Sequence, residues 1–314
     1  MYNDRIIILC HIYIVNISCC YPQALYPGCL FYAALKNIGE SVRIRTMNEK
    51  GIVKLHTLRR LDIAGSSKGD QEKYYDEDRH AYIKLPFYYE GKYWKDYMVE
   101  HLSGRLFEDD YTLGIQIVDQ EIIMTDKGLP AVRSADFCAD DEQWLSIARV
   151  FERFRIYPED AKSGEERLWQ ILNTAEECCG IDLSAYLTVM FVADLLLLNE
   201  DRHYNNLGLL YTDSGSFGVA PLFDLGLGLF EQGKIYENKS LKEIEPENIR
   251  LRPLGVTGLK ALDLMADLGY REDIAYVVSG IRTELKRELF PNDNGYEWYV
   301  YISDKLRKTY ERKI

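Results

Sequence analysis

No C-x-x-C pair occurs in the 314 residues, and the seven cysteines are odd in number, with Cys19-Cys20 and Cys178-Cys179 adjacent. That arithmetic fits neither a disulfide framework nor a zinc site, and reads as free thiols in a reducing cytoplasm. Basic charge is in short supply: 38 Lys+Arg against 50 Asp+Glu give a formal net charge of −12 and a pI near 5.0. Neutralising phosphates supplies most non-specific nucleic-acid affinity, so this balance argues against nucleic acid as a direct ligand and against an anionic membrane surface. Long apolar runs are also missing. Residues 6–20 are apolar behind Arg5, but they are interrupted by His11 and Asn16 and lack a small-x-small cleavage site. The run falls short of the ~20 residues a membrane span needs, so β-rich core or an atypical start is expected there rather than an export signal. Neither internal repeats nor low-complexity segments occur.

What is present suits a folded protein of one large or two small domains: 47% hydrophobic residues, 12% aromatic, 24 of them Tyr. The chain is organised around Leu195-Leu196-Leu197-Leu198-Asn199-Glu200-Asp201-Arg202-His203-Tyr204-Asn205-Asn206, which runs through a hairpin to Pro221-Leu222-Phe223-Asp224-Leu225-Gly226. An apolar helix stops at a cluster of polar side chains, and a second carboxylate returns two strands later. Phosphoryl transfer asks for this set, because its catalysis is positioning of the nucleophile plus neutralisation of charge. Asp201 can accept the proton of an attacking hydroxyl. The Asn206 amide oxygen can reach a metal, and Asp224 suits the main ligand of Mg²⁺, a hard cation held by one or two carboxylates plus phosphates. Strands over 207–211 and 217–220, around the turn 212–216, bring Asp224 back beside Asn206.

Upstream, residues 53–63 alternate like a strand until Gly65-Ser66-Ser67-Lys68-Gly69-Asp70 breaks the pattern. Two further strands, 71–75 and 80–85, flank the charged turn 76–79. A Gly/Ser loop between strands can turn backbone N–H groups toward phosphate oxygens, although most such loops are ordinary hairpin turns. In Tyr82-Ile83-Lys84-Leu85-Pro86 the lysine faces opposite Ile83 and Leu85. Lys84 is either a snorkelling surface lysine or the one that pairs the α- and β-phosphates in kinases.

At these residues the chain resembles the HipA-like serine/threonine kinases, relatives of the protein-kinase and phosphoinositide-kinase fold, including the shorter CtkA-type members. The resemblance is carried by N-E-D-R-H-x-N-N, by P-L-F-D-L-G, by the loop pattern of Gly69, Gln71 and Lys73, and by I-K-L-P. It extends from about residue 60 to the end of the C-terminal lobe. It implies an α+β, two-lobed protein-kinase-like fold, with a small β-rich N-lobe and a larger α-helical C-lobe.

By position the resemblance makes Asp201 the catalytic base, His203 a loop-orienting residue, Asn206 and Asp224 the metal ligands, and Asp224-Leu225-Gly226 the counterpart of D-F-G. Ser66, Ser67, Lys68, Gly69 and Gln71 would cradle phosphates, with Lys84 paired to a helix carboxylate. Glu100 is that carboxylate by the family's pattern, with Asp96 one turn earlier as the other choice. The adenine hinge is expected at 135–138, with Asp136 and Phe137, unless this is an ordinary strand end. The loop departs from the family in one respect: the position of its autophosphorylated serine falls on Lys68, one residue after Ser67, which puts self-inactivation in doubt.

Residues 1–50 are too few for the additional N-terminal subdomain of larger HipA proteins, and form an extension of unknown role; 51–138 form the N-lobe and 139–314 the catalytic C-lobe. Helices are expected at 93–107, 143–156, 166–178, 184–198 with Ser184 as N-cap, 257–268, 271–289 and 296–312. The helix 184–198 is apolar almost all round and should be buried, with Asp194 meeting a backbone donor from the Asp201 loop or facing a polar groove. Residues 231–253 take the place of an activation segment.

The resemblance implies ATP and Mg²⁺ as cofactors, a protein Ser/Thr hydroxyl as acceptor, and an antitoxin-like regulatory partner. Two alternatives keep the fold: a small-molecule phosphotransferase, and a pseudokinase that binds a partner in a toxin–antitoxin or phage-defence system. A metal-dependent nuclease using His203 and Asn206 is disfavoured by the acidic surface and by the lack of a second suitably spaced histidine.

Overall fold

A computed structural model describes residues 52–61, 71–89, 91–231, 250–251 and 253–311. The expected phosphate-loop residues Ser66, Ser67, Lys68 and Gly69, and most of the expected activation segment, lie outside the described residues.

The N-terminal part is a five-stranded antiparallel sheet of order β1-β2-β3-β7-β6. Its strands are β1 (Arg59–Arg60), β2 (Lys73–Asp76), β3 (Ala81–Lys84), β6 (Gln120–Met124) and β7 (Pro130–Ala135). Between β3 and β6 run a small hairpin, β4 (Tyr88–Tyr89) and β5 (Lys92–Tyr93), and the helix α1 (Asp96–Ser103). Register follows the side-chain alternation. Tyr74 lies opposite Ile83, and both enter a small core with Leu55, Leu85, Ile123 and Ala131. Lys73 lies opposite Lys84 on the other face. Because like charges on directly opposed strand positions repel, this pair is tolerable only where acids compensate.

After Ala135 the chain crosses to a three-stranded sheet of order β10-β9-β8, made of β8 (Glu142–Ser146), β9 (Gly208–Thr212) and β10 (Phe217–Val219). The rest of the described C-terminal part is mainly helical: α2 (Ile147–Phe154), α3 (Gly164–Cys179), α4 (Ser184–Leu196), α5 (Gly258–Met265), α6 (Arg271–Ser279) and α7 (Asp293–Tyr310), with a short pair β11 (Arg250–Leu251) and β12 (Val256–Thr257). Helix α4 is buried on every side, as its composition requires, and is the axis of the large core. Trp298 of α7 is itself buried and donates its indole N–H to Leu195 O at 2.9 Å. The whole is the two-lobed, protein-kinase-like α+β architecture.

Several boundaries differ from expectation for local reasons. Residues 55–57 form a 3₁₀ turn instead of a strand, because Asp126 accepts the Leu55 N–H at 3.2 Å and the Thr57 hydroxyl bonds Lys54 O at 2.8 Å. Residues 143–146 are strand rather than helix, since they pair with β9; Ser146 then caps α2 by accepting the Arg149 N–H. Ser184 is the first helical residue and not the cap, and its N–H is taken by Asp182 at 2.8 Å. Helix α6 stops at Ser279, where Gly280 lies against Tyr111 and Ile281 bridges to Phe107. Among the described residues, no helix is long and apolar enough to cross a membrane.

Candidate active site

Where the two parts meet, Lys84 reaches off the end of β3 and donates to Glu100 Oε1 at 2.8 Å and to Asp224 Oδ1 at 3.1 Å. Glu100 on α1 is therefore the helix carboxylate, and Asp96 is not. Burial pushes the Lys84 ammonium down, but Asp224 and Glu100 outweigh it and hold its pKa well above the ordinary lysine range. In return Lys84 holds the Asp224 carboxyl far below the usual carboxylate range, against the cost of burial. Glu100 is fixed from its other side: Gln120 of β6 donates to Oε2 at 2.6 Å.

Asp201, Asp224, Glu100, Asp96, Gln71 and Lys73 line one small cleft, so the residues singled out from motifs far apart in sequence do converge. Asp224 has φ of 57°, in the left-handed region that a non-glycine residue rarely occupies, and the surrounding contacts hold it there. Two residues on, Gly226 leaves no room for a side chain: a Cβ there would sit 2.7 Å from Glu100 Cγ. The glycine of D-L-G thus lets Glu100 lie flat against the turn.

The loop bearing Asp201 and Asn206 is built on a buried ion pair that the sequence reading did not assign. Arg202 is fully buried and grips Asp194 in a fork, Nη2 to Oδ1 at 3.0 Å and Nε to Oδ2 at 3.1 Å. Asn199 adds an amide bond to Asp194 Oδ1 at 2.8 Å and caps the Asp201 N–H with its own side-chain oxygen at 3.2 Å. The partner of Asp194 is thus a guanidinium and an amide, not a backbone donor or a polar groove. Burial disfavours the Arg202 charge, but Asp194 more than compensates and raises its pKa. Arg202 Nη1 also donates to Phe223 O at 3.0 Å and to Asn206 O at 3.3 Å. One side chain therefore ties the residue before Asp224 to Asn206. The signal in the sequence was an Asp in an apolar helix eight residues before an Arg in a polar motif.

The other expected residues fall as follows. His203 accepts the Asn206 N–H on its carbonyl at 2.8 Å, closing the turn that presents Asn206. Gln71 spends its amide on Asp96 Oδ2 at 2.7 Å and Leu85 O at 2.9 Å, so its donors are engaged within the protein. At the expected hinge, Asp136 is buried, its carboxylate taken by the Tyr75 hydroxyl and the Cys138 N–H, both at 3.2 Å, and its own N–H given to His80 O. Desolvation raises the Asp136 pKa. Phe137 lies against Phe223 with ring centroids 5.7 Å apart, and Phe223 meets Trp144 edge-on at 5.7 Å. Phe137 lines a groove with Leu210 and Val219, separate from the cleft of the acids. Among the described residues no group of three or more His, Cys, Asp or Glu side chains suits a metal ion.

The fold and the lysine–carboxylate pair define a kinase-like cleft. No family model matches the chain. Over 71 residues it is 39% identical to the serine/threonine-protein kinase CtkA of Helicobacter pylori, a stretch that spans 22% of this chain and 22% of the relative's length. Among solved structures it is similar to a Helicobacter pylori proinflammatory kinase CtkA, with 16% identity, 82% of this chain and 94% of the other covered, and a TM-score of 0.47. It is also similar to HipA of Shewanella oneidensis MR-1, solved with HipB and operator DNA, with 16% identity, 80% and 65% covered, and a TM-score of 0.41. The resemblance to HipA-like kinases read from the motifs is met again in these relatives.

Proposed function

We propose that the protein is an ATP- and Mg²⁺-dependent HipA-like kinase that transfers the γ-phosphoryl group to a serine or threonine hydroxyl of a protein. The observation that carries the reading is Lys84, bonded at once to Glu100 and Asp224 in the cleft that Asp201 also lines. Kinase chemistry needs such a lysine, fixed by a helix carboxylate beside a metal-binding Asp.

In the reaction, Asp201 accepts the proton of the acceptor hydroxyl as its oxygen bonds to the γ-phosphorus, and the bond to the β-phosphate oxygen breaks to leave ADP. Lys84 neutralises phosphate charge. Asn206 and the ionised Asp224 offer the hard oxygen donors that Mg²⁺ prefers, an ion usually held by one or two carboxylates together with substrate phosphates. The ion, when bound, supplies charge neutralisation and orientation of those phosphates. All of these side chains are present together, which favours an active enzyme over a pseudokinase. An antitoxin-like regulatory partner is proposed on the same resemblance.

The test is Mg²⁺-dependent incorporation of γ-phosphate from ATP, by intact-mass analysis of the protein and of added acceptors, for wild type beside Asp201→Asn and Asp224→Asn. Transfer should fall by about 10²–10⁴ in Asp201→Asn and vanish in Asp224→Asn. Nucleotide binding without turnover in wild type would move the reading to a pseudokinase, and no nucleotide binding would overturn both.

A further inference from the structure

Asp96 is buried beside the cleft, and catalysis as derived above does not use it. It is 5% exposed, yet among the described residues no cation stands at hydrogen-bond distance of its carboxylate. Its Oδ2 accepts from the Gln71 amide at 2.7 Å and its Oδ1 from the Phe87 N–H at 3.2 Å. The three attached segments are the lead into β2, the entry to the β4–β5 hairpin and the first turn of α1. Gln71 stands two residues before Lys73, and Asp96 stands one helical turn before Glu100. The Gln71 amide also reaches Leu85 O, next to Lys84. The Asp96–Gln71 contact thus adds to the Lys84–Glu100 bond a second link between the strands bearing the two cleft lysines and the helix bearing Glu100.

We propose that Asp96 is a positioning residue: as a carboxylate it fixes Gln71, and with it the start of β2 and Lys73, against the helix that presents Glu100, so that the cleft's hold on nucleotide phosphates depends on the ionisation of Asp96. The phosphate part rests on the kinase reading; the anchoring of Gln71 does not.

The groups around Asp96 set when that happens. Glu100 on its own helix opposes its charge and Lys84 on β3 favours it, while Asp201, Asp224 and Lys73 of β2 line the same cleft. Lys95, just before it, is turned away, its ammonium on Pro291 O and its N–H on Glu231. Burial dominates and lifts the Asp96 carboxyl to about 7. Protonation removes the charge from the hydrogen bond to Gln71, and charge-assisted bonds are roughly twice as strong as neutral ones. A bound triphosphate bears the same sign as Asp96, but it faces Lys73 and Lys84 and comes with its cation, so the short contact to Gln71 governs the outcome.

The experiment follows the Gln71 side-chain amide by NMR in full-length, ¹⁵N-Gln-labelled protein without nucleotide from pH 5.5 to 8.5, and in parallel measures the affinity of a fluorescent ATP analogue with Mg²⁺ across the same range. In wild type the Gln71 amide should titrate with a midpoint near the value given for Asp96, and affinity should rise about fivefold from the acid to the alkaline end. Both curves should be flat in Asp96→Asn, an isostere that cannot ionise. A flat Gln71 amide in wild type, or the same titration in Asp96→Asn, overturns the anchoring role. Titration of Gln71 with an unchanged affinity overturns the link to phosphate binding. Absence of nucleotide binding at every pH overturns the kinase reading and that link together, while the amide titration still decides the anchor.

Discussion

Replacing Asp194 by Asn should be the most damaging single isosteric change in the protein. The substitution deletes a charge from a pair whose members are both fully buried. It leaves Arg202 one neutral amide oxygen at position 194 in place of two carboxylate oxygens, turns an NH2 donor toward the guanidinium, and keeps the carbonyls Phe223 O and Asn206 O. Removing one partner of a buried ion pair costs about 3–5 kcal/mol, because the other charge stays uncompensated. In a chain of this size that lowers the melting temperature by roughly 6–10 °C. Urea unfolding at constant slope measures it. The informative companion is Asp194→Leu with Arg202→Met, which removes both charges and keeps volume; such swaps are often neutral or stabilising. That double variant removes the uncompensated charge but takes from Phe223 O, Asn206 O and the Asn199 amide their bonds to this pair, and it should lose phosphoryl transfer, since Arg202 no longer ties Phe223 to Asn206. A shift below about 1 kcal/mol in Asp194→Asn, or full transfer by the double variant, would refute the assignment of Arg202 as the brace between Asn206 and the residue before Asp224.

Further outcomes follow from the same contacts. Gly226→Ala drives a methyl into the Glu100 side chain; a displacement of an ångström at a reacting centre costs about a hundredfold, so transfer should collapse while the melting temperature moves little. Glu100→Gln should fold normally, because the buried Gln120 Oε1 lacks a partner and can turn to accept from the new amide, leaving the other oxygen for Lys84; its effect is on charge, visible as a smaller rise of the Lys84 pKa by NMR. Asp96 also marks stability. Its carboxyl is raised to about 7 in the folded protein against about 3.9 in the unfolded chain, so the unfolded state ionises first. Its contribution is full below about pH 4 and is lost as pH climbs to about 7, by up to roughly 4 kcal/mol. In Asp96→Asn that fall should disappear from the stability–pH curve measured by urea unfolding.

Residue types and spacing were enough to single out residues that the fold brings together, Lys84 with Asp224 and Asp224 with Asp201. Lys84, Asp201 and Asp224 each carry a charge in a local pattern that needs explaining, and alternation along Tyr82–Leu85 turned Lys84 to the face opposite the small core. Helix α4 was legible because its apolar residues leave no polar side. What escaped was decided by partners remote in sequence. Strand β8 has a helix-like composition and is a strand only because β9 lies beside it. Asp194 announced a buried partner without saying which, since a guanidinium eight residues away and a backbone amide satisfy the same carboxylate. The difference between Glu100 and Asp96 was likewise tertiary. One turn of helix separates them: the packing of α1 on β6 and β7 brings Glu100 between Gln120 and Lys84 and leaves Asp96 to Gln71.

The resting contacts of Lys84 bear on how the cleft can work. An ammonium has three N–H donors, and two are engaged, on Glu100 Oε1 and Asp224 Oδ1. Among the described residues no acceptor takes the third, which under the proposed reading would go to a phosphate oxygen. Asp224 meets Lys84 through Oδ1 alone, and its side chain is 39% exposed, so Oδ2 is still available to a cation. Glu100, by contrast, is 4% exposed and has both oxygens committed, to Lys84 and to Gln120. The carboxylate on the helix is saturated and buried, and the carboxylate proposed to take the metal is partly open. An inactive arrangement would show the reverse, with Lys84 drawn away from Glu100 or Asp224 closed over by protein donors. Under the proposed kinase reading, phosphate and metal would add bonds to Lys84 and Asp224 without exchanging those to Glu100.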